Sequence, residues 1–245
     1  FLWQWAPHSA AYNIPTALRL QGPLDVTPLE RSVQALIERH ETLRTVFTQE
    51  TGQPLQVVLP AGPFVLEIHQ LSAALANDPE ASIQAFVQTQ SQKTFDLEHG
   101  PLLRAALLQV TPHDHVLVLT LHHIVSDGWS LQVMIEELVQ LYAGFNLGHD
   151  AGLPALPIQY ADYALWQRQW MEAGEQERQL AYWQEKLGGE QPVLELPMDR
   201  PRSIEQSFAG ASHNLILDPT LSNALKAFAR KENVTLFVLL LASFQ

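Results

Sequence analysis

Val116, Leu117, Val118, Leu119, Thr120 and Leu121 form an apolar run near the middle of the chain. Without polar alternation, such a run predicts a strand covered on both faces, the centre of a sheet. Just beyond it, Leu131, Met134, Ile135, Leu138 and Tyr142 fall at i, i+3, i+4, i+7 and i+11, the spacing of an amphipathic helix with one buried stripe. Upstream, Thr27, Pro28 and Glu30 read as a capping box with proline at the first helical position. Leu29, Val33, Leu36 and Ile37 then predict a helix over about 28–40. Residues 42–48 alternate as a strand, with Leu43, Thr45 and Phe47 on one side and Arg44 and Val46 on the other. Further strands are expected at 55–59, 64–69 and 103–110, and Asp78 with Pro79 opens a helix reaching about 94.

The Gly- and Pro-rich stretch 144–157 separates this part from one or two helices over 160–190, which carry Trp166, Trp170 and Trp183. Residues 196–202, with Pro197 and Pro201, read as a linker. A second unit is expected after it: a strand near 213–217, a helix opened by Asp218 and Pro219, and a terminal apolar helix. The order is mixed helix and strand, with no internal repeat.

Composition narrows the function classes. With 245 residues, 47% of them hydrophobic, the chain can bury a large core. Acidic residues number 26 against 14 basic, a net charge of -12 with no Lys/Arg cluster, which argues against phosphate-mediated nucleic-acid binding. The absence of cysteine removes disulfides, thiolate nucleophiles and Cys-ligated zinc, and favours a cytoplasmic protein. The longest apolar stretch, 236–242, is far short of the roughly 20 residues needed to cross a membrane. No basic n-region and apolar leader of a secretory signal is present. Opening on Phe1 inside a Trp-rich segment and closing inside an apolar helix, the chain reads as an excerpt of a longer protein.

The chemistry-bearing residues gather where the central strand ends. Residues 122–130 read HHIVSDGWS. Successive strand side chains point to opposite faces, so His122 and His123 should divide their roles, one facing a cavity and the other packing. A neutral imidazole can take or hold the proton of an attacking amine, which suits acyl transfer to nitrogen. Asp127, if buried, needs a cationic or N–H partner, and Arg44 is the candidate. Gly128 would let a backbone or a thin substrate arm approach closely.

Plainer readings compete. Asp127 also fits a helix N-cap with Ser130 at the third helical position. His122 also fits a packed, hydrogen-bonded core histidine. A metal site built from His122, His123 and Asp127 would need adjacent strand histidines to converge, and no H-E-x-x-H helix is present. Ser126 and Ser130 sit in no G-x-S-x-G elbow, which weakens a serine hydrolase.

Residues 122–128 resemble the H-H-x-x-x-D-G signature of the condensation domains of nonribosomal peptide synthetases, within the chloramphenicol-acetyltransferase-like acyltransferases. Five further stretches resemble motifs of that family in the same order: SAAYNIP at 9–15, RHETLRTVF at 39–47, FDLEHGPLLR at 95–104, YADYALW at 160–166 and LPMDRPR at 196–202.

This resemblance implies an α/β fold (an α+β sandwich): a chloramphenicol-acetyltransferase-like lobe with a mixed central sheet flanked by helices, plus the start of a second similar lobe. The corresponding division is 1–175 for the first lobe, 176–205 for the helix and linker crossing between lobes, and 206–245 for the beginning of the second. It implies amide-bond formation between a donor aminoacyl or peptidyl thioester and the amino group of an acceptor aminoacyl thioester. Both would arrive on the 4'-phosphopantetheine arms of peptidyl carrier proteins beside an adenylation domain, with no cofactor or metal held directly. His123 would face the tunnel and contact the acceptor amine. Asp127 would pair with Arg44, Gly128 would border the donor path, and Arg39, His122 and Trp129 would support the site. Ser126 resembles the subtype taking an L-configured donor. The residues after the signature differ from epimerization domains, and the histidine pair differs from the aspartates of cyclization domains. A stand-alone acyltransferase acting on a soluble amine or alcohol, and a noncatalytic recruitment module of the same fold, remain alternatives.

Overall fold

The structure is a computed structural model and describes residues 9–50, 52–71, 78–190, 197 and 215–244. The chain divides into two compact units, Phe1–Leu194 and Glu195–Gln245. The first runs β1 (Asn13–Gln21), α1 (Val26–Arg39), β2 (Thr45–Glu50), β3 (Gln53–Val58), β4 (Glu67–Gln70), α2 (Pro79–Gln92), β5 (Leu103–Thr111), β6 (Asp114–His122), α3 (Gly128–Asn146), α4 (Tyr160–Trp170) and α5 (Gln176–Leu187). Four strands form a mixed sheet in the order β1-β6-β5-β4, with β4 parallel to β5 and the other pairs antiparallel. The strands β2 and β3 form a separate antiparallel hairpin.

The apolar run occupies β6, which lies inside the sheet and is buried from His115 to His122. Strand parity then sorts the side chains between two layers. Leu103, Ala105 and Leu107 of β5 and Leu117, Leu119 and Leu121 of β6 pack with Leu29, Val33 and Leu36 of α1 and Met134, Leu138 and Leu141 of α3. On the opposite face, Leu108, Val116 and Val118 meet Ile83 of α2. Each such buried leucine contributes about 1.5–3 kcal/mol relative to exposure. The expected mixed sheet between helices is therefore present.

Several local expectations are corrected. The first helix is capped by Asp25, whose carboxylate accepts the Thr27 N–H, so Thr27 and Pro28 already lie inside its first turn. Proline is tolerated there because its missing N–H has no helical partner to lose. Residues Glu41–Arg44 form a 3-10 turn, closed by the Thr45 hydroxyl donating to Glu41 O at 2.7 Å, and the strand starts only at Thr45. The strand β1 is an addition to the expected elements. Its Ile14, Thr16, Leu18 and Leu20 are half-buried in alternation, and its place at the sheet edge accommodates Pro15.

The helical stretch after 160 is two helices parted by a π-turn at Met171–Glu175, where Gly174 takes φ +108°. Tyr160, Tyr163, Trp166 and Trp170 form an exposed row with ring centroids 5.6 to 5.9 Å apart. In the second unit the described elements are α6 (Pro219–Lys231), capped by Asp218, and α7 (Leu236–Phe244). Of the strand expected near 213–217, residues 213 and 214 lie outside the described residues. Residues 215–217 are irregular, with no neighbouring strand described in this unit. The 196–202 linker lies outside them too, apart from Pro197.

Candidate active site

β6 ends at His122, and its exit is pinned on both sides. His122 N–H donates to Leu102 O at 3.1 Å, and His123 N–H donates to Tyr12 O at 2.8 Å. Val125 N–H then closes a turn on His122 O at 3.0 Å. With the backbone fixed, alternation sends the two imidazoles apart. His122 is 6% exposed, packs edge-on to Phe95 and tilted against Tyr12, and its Nδ1 accepts the Ile124 N–H at 3.1 Å. Burial, with His123 adding to it, pushes its pKa below the ordinary histidine value, so it stays neutral. His123 is exposed and lines an open groove of about 610 Å³.

The 95–104 stretch acquires a physical role here. Phe95, Leu97 and Leu102 form a small cluster against which Val125 of the turn packs. Arg104 stacks its guanidinium 3.6 Å from the Phe95 ring centre and donates to Thr94 O and Lys93 O.

Asp127 is the N-cap of α3. Its carboxylate accepts the Ser130 N–H at 2.8 Å while the Ser130 hydroxyl accepts the Asp127 N–H at 2.7 Å. Ser130 backbone and hydroxyl donors hold the Asp127 carboxyl below the usual carboxylate range. The expected Asp127–Arg44 pair is corrected: among the described residues the Arg44 guanidinium donates to Leu59 O at 2.7 Å and to Glu41 at 3.4 Å. The cause is the 3-10 turn, which directs the Arg44 terminal nitrogens to the β3 exit and Glu41, while Asp127 finds its donors within its own helix. Gly128 is the first helical residue, and a Cβ added there would meet nothing within 4 Å beyond its own stretch of helix. Trp129 stands 82% exposed on the groove wall.

Three further residues shape that wall. Glu137, 9% exposed on α3, accepts from Arg39 Nε at 3.1 Å and meets His40 Nε2 at 2.6 Å. Arg39 also donates to Pro154 O, and the Gln159 amide bridges Arg39 O and the Glu41 N–H. His40 and Gln159 both line the groove with His123. Sequence reasoning misses His40, Glu137 and Gln159 as site residues. The available signal for Glu137 is an acidic residue three positions after Met134, inside the predicted buried stripe.

The assembled site presents the exposed His123 imidazole on a fixed turn, with His40 on the same wall engaged by Glu137 and with Asp127 and Ser130 engaged in the helix cap. Such a group can hydrogen-bond an incoming amine and handle its proton. Among the described residues no group of three or more His, Asp or Glu is placed to hold a metal, and no helix is long and apolar enough to cross a membrane.

A family described as Condensation domain matches residues 1–245. A linear gramicidin synthase protein of Brevibacillus parabrevis is 46% identical over 245 residues, covering 100% of this chain and 3% of that protein. Malpibaldin synthetase of Mortierella alpina is 42% identical over 244 residues, covering 100% of this chain and 4% of that protein. The complex of the X-domain and OxyB from teicoplanin biosynthesis aligns with a TM-score of 0.77 at 28% identity, covering 95% of this chain and 51% of that one. The first condensation domain of the calcium-dependent antibiotic synthetase, in complex with a substrate analogue, gives 0.79 at 24% identity, covering 96% and 54%, a likeness of fold. The chain thus spans a small part of the synthetases it matches and about half of these solved chains.

Proposed function

The chain belongs to the condensation-domain family, and from that premise we propose that it supplies the histidine-bearing wall of an enzyme joining carrier-bound thioesters through an amide bond. The donor is an aminoacyl or peptidyl thioester and the acceptor an aminoacyl thioester, each on the phosphopantetheine arm of a carrier protein. The observation that carries this reading is the accessible His123 imidazole on a backbone-pinned turn in an open groove. His123 accepts a hydrogen bond from the acceptor α-amino group as that nitrogen attacks the donor carbonyl. The C–N bond forms, the C–S bond breaks, and the proton lost by nitrogen ends on the departing thiolate. Much of the rate comes from holding amine and thioester together.

In the same reading His122 and Asp127 maintain the turn, Arg39 and Trp129 support the groove, Gly128 borders the donor path, and Ser126 marks a donor of L configuration. Residues 1–175 form the first lobe, 176–205 the crossing and 206–245 the start of the second, in a cytoplasmic assembly with a neighbouring adenylation domain.

The test is transfer between loaded donor and acceptor carrier proteins, followed by intact-protein mass spectrometry in the full-length protein for wild type and His123→Ala. An acceptor-bound dipeptide from wild type that is mostly lost in the variant supports the proposal. A second reading, a noncatalytic recruitment module, draws on the likeness to the X-domain complexed with OxyB. It takes over if both proteins stay folded and neither moves the donor.

A further inference from the structure

Beside the groove lies a smaller cavity of about 200 Å³. The two adjoin, sharing His40, Thr42, Val125, Ser126, Trp129 and Ser130 in their walls. The remaining wall of the small one is apolar: Leu43, Leu121, Val133 and Met134. Leu43, Leu121 and Met134 are at most 6% exposed, so its back is the hydrophobic core itself. Trp129, on the first turn of α3, flanks both spaces.

We infer that this side cavity receives the branched aliphatic or phenyl side chain of the aminoacyl group that reacts at His123, which makes it a specificity pocket. The inference rests on the acyl-transfer reading above. Adjacency comes first: the space shares six wall residues with the groove that holds His123, which puts it within reach of the side chain of a group reacting there. Polarity comes second. Three of the four polar side chains on its wall are already engaged with protein partners, and Thr42 adds only a neutral hydroxyl. His40 Nε2 faces Glu137 at 2.6 Å, and the Ser126 and Ser130 hydroxyls lie 3.3 Å apart, with Ser130 also in the cap. A charged side chain entering there would lose water without gaining a counter-charge, whereas an apolar one loses nothing. Size comes third. Apolar cavities of about 150 Å³ accept benzene. The present space, at about 200 Å³, therefore accommodates isobutyl, sec-butyl or phenyl groups.

Donor and acceptor share this chemistry, and the experiment separates them. In the full-length protein with loaded carrier proteins, one arm varies the acceptor among alanine, leucine, phenylalanine, tryptophan and glutamate against an alanyl donor, and the other arm varies the donor against an alanyl acceptor. Wild type should transfer leucine and phenylalanine at least about tenfold faster than glutamate in one arm, a ratio in the range hydrophobic pockets deliver. Val133→Phe, at a position 37% exposed and so tolerant of volume, should remove that advantage while alanine transfer stays within about threefold. Val133→Ala should raise tryptophan transfer.

Equal slowing of all substrates by Val133→Phe in both arms, or no change in selectivity from either variant, overturns the pocket while leaving acyl transfer standing. Wild type that transfers nothing while folded overturns both.

Discussion

Replacing Glu137 by alanine asks whether charge holds the groove wall in place. Glu137 is 9% exposed, with Arg39 Nε at 3.1 Å and His40 Nε2 at 2.6 Å. Removing one member of a buried ion pair costs about 3–5 kcal/mol, because the other charge stays desolvated. Here Arg39 keeps Pro154 O, and the Arg39 and His40 side chains are 15% and 22% exposed. The expected loss is therefore reduced to about 2–3 kcal/mol. For a domain of this size each kcal/mol shifts Tm by roughly 2–4 °C, so the melting transition of the intact domain should fall by about 4–12 °C. Glu137→Gln, which keeps the shape and one acceptor oxygen, should lose less. The Arg39→Leu, Glu137→Leu double variant should be more stable than the sum of the two single losses predicts, since it leaves no orphaned charge. Glu137→Ala melting within about a degree of wild type, or strictly additive leucine variants, would refute the argument that this pair fixes the wall.

Acid sensitivity follows from two other groups. The Asp127 carboxyl titrates below the ordinary carboxylate range, so its contribution is complete above the unfolded value and is lost as pH falls through the folded one. An acid titration by circular dichroism should show wild type losing its advantage over Asp127→Ala across that window, since the variant lacks the cap at every pH. His122 is held neutral, so the unfolded chain binds its proton first. Stability should be constant above the ordinary histidine value and decline as pH drops below it, and His122→Gln should flatten that slope in denaturant titrations. Gly144→Ala would place a methyl 2.9 Å from Ala151 Cα, a backbone atom that cannot swing aside, and overpacking of this kind costs about 1–3 kcal/mol, measurable as a lower denaturation midpoint.

How far the sequence carries the fold can be judged from particular elements. β6 and α3 are legible because burial dictates composition: a strand covered on both faces must be apolar throughout, and a helix on one face must repeat its apolar positions at helical spacing. β1 escapes notice because an edge strand is only half-buried and tolerates a proline, which weakens both signals used to find strands. Residues 42–44 mislead because Thr42, Leu43 and Arg44 continue the alternation of the strand that follows, although they lie in a short 3-10 turn. The Arg44–Asp127 pairing fails with that strand, because it depends on where a strand would aim Arg44. The N-cap reading of Asp127 needs only local spacing, and the structure contains it. His40, Glu137 and Gln159 come together from three separated segments, a convergence that neither periodicity nor capping rules report.

The spacing of the H-H-x-x-x-D stretch has a physical account in this fold. The strand ladder ends at His122, and His123 is held one residue further by Tyr12 O. The three residues that follow turn the chain on His122 O and deliver Asp127 to the start of α3. Strand parity makes the two histidines unlike: the even position shares the α2 face with Val116 and Val118, and the odd one shares the α1 and α3 face with Leu117, Leu119 and Leu121. His123 is thus the first residue of its face beyond the packed core, where α1 and α3 no longer cover the sheet and the groove opens. His122 on the other face is capped by Phe95 and lends its Nδ1 to the Ile124 N–H, so the buried imidazole secures the turn that presents the exposed one. A shift of one residue anywhere between His122 and Asp127 would exchange these faces or uncap α3, which is why the two histidines, the spacer and the acid act as one structural unit.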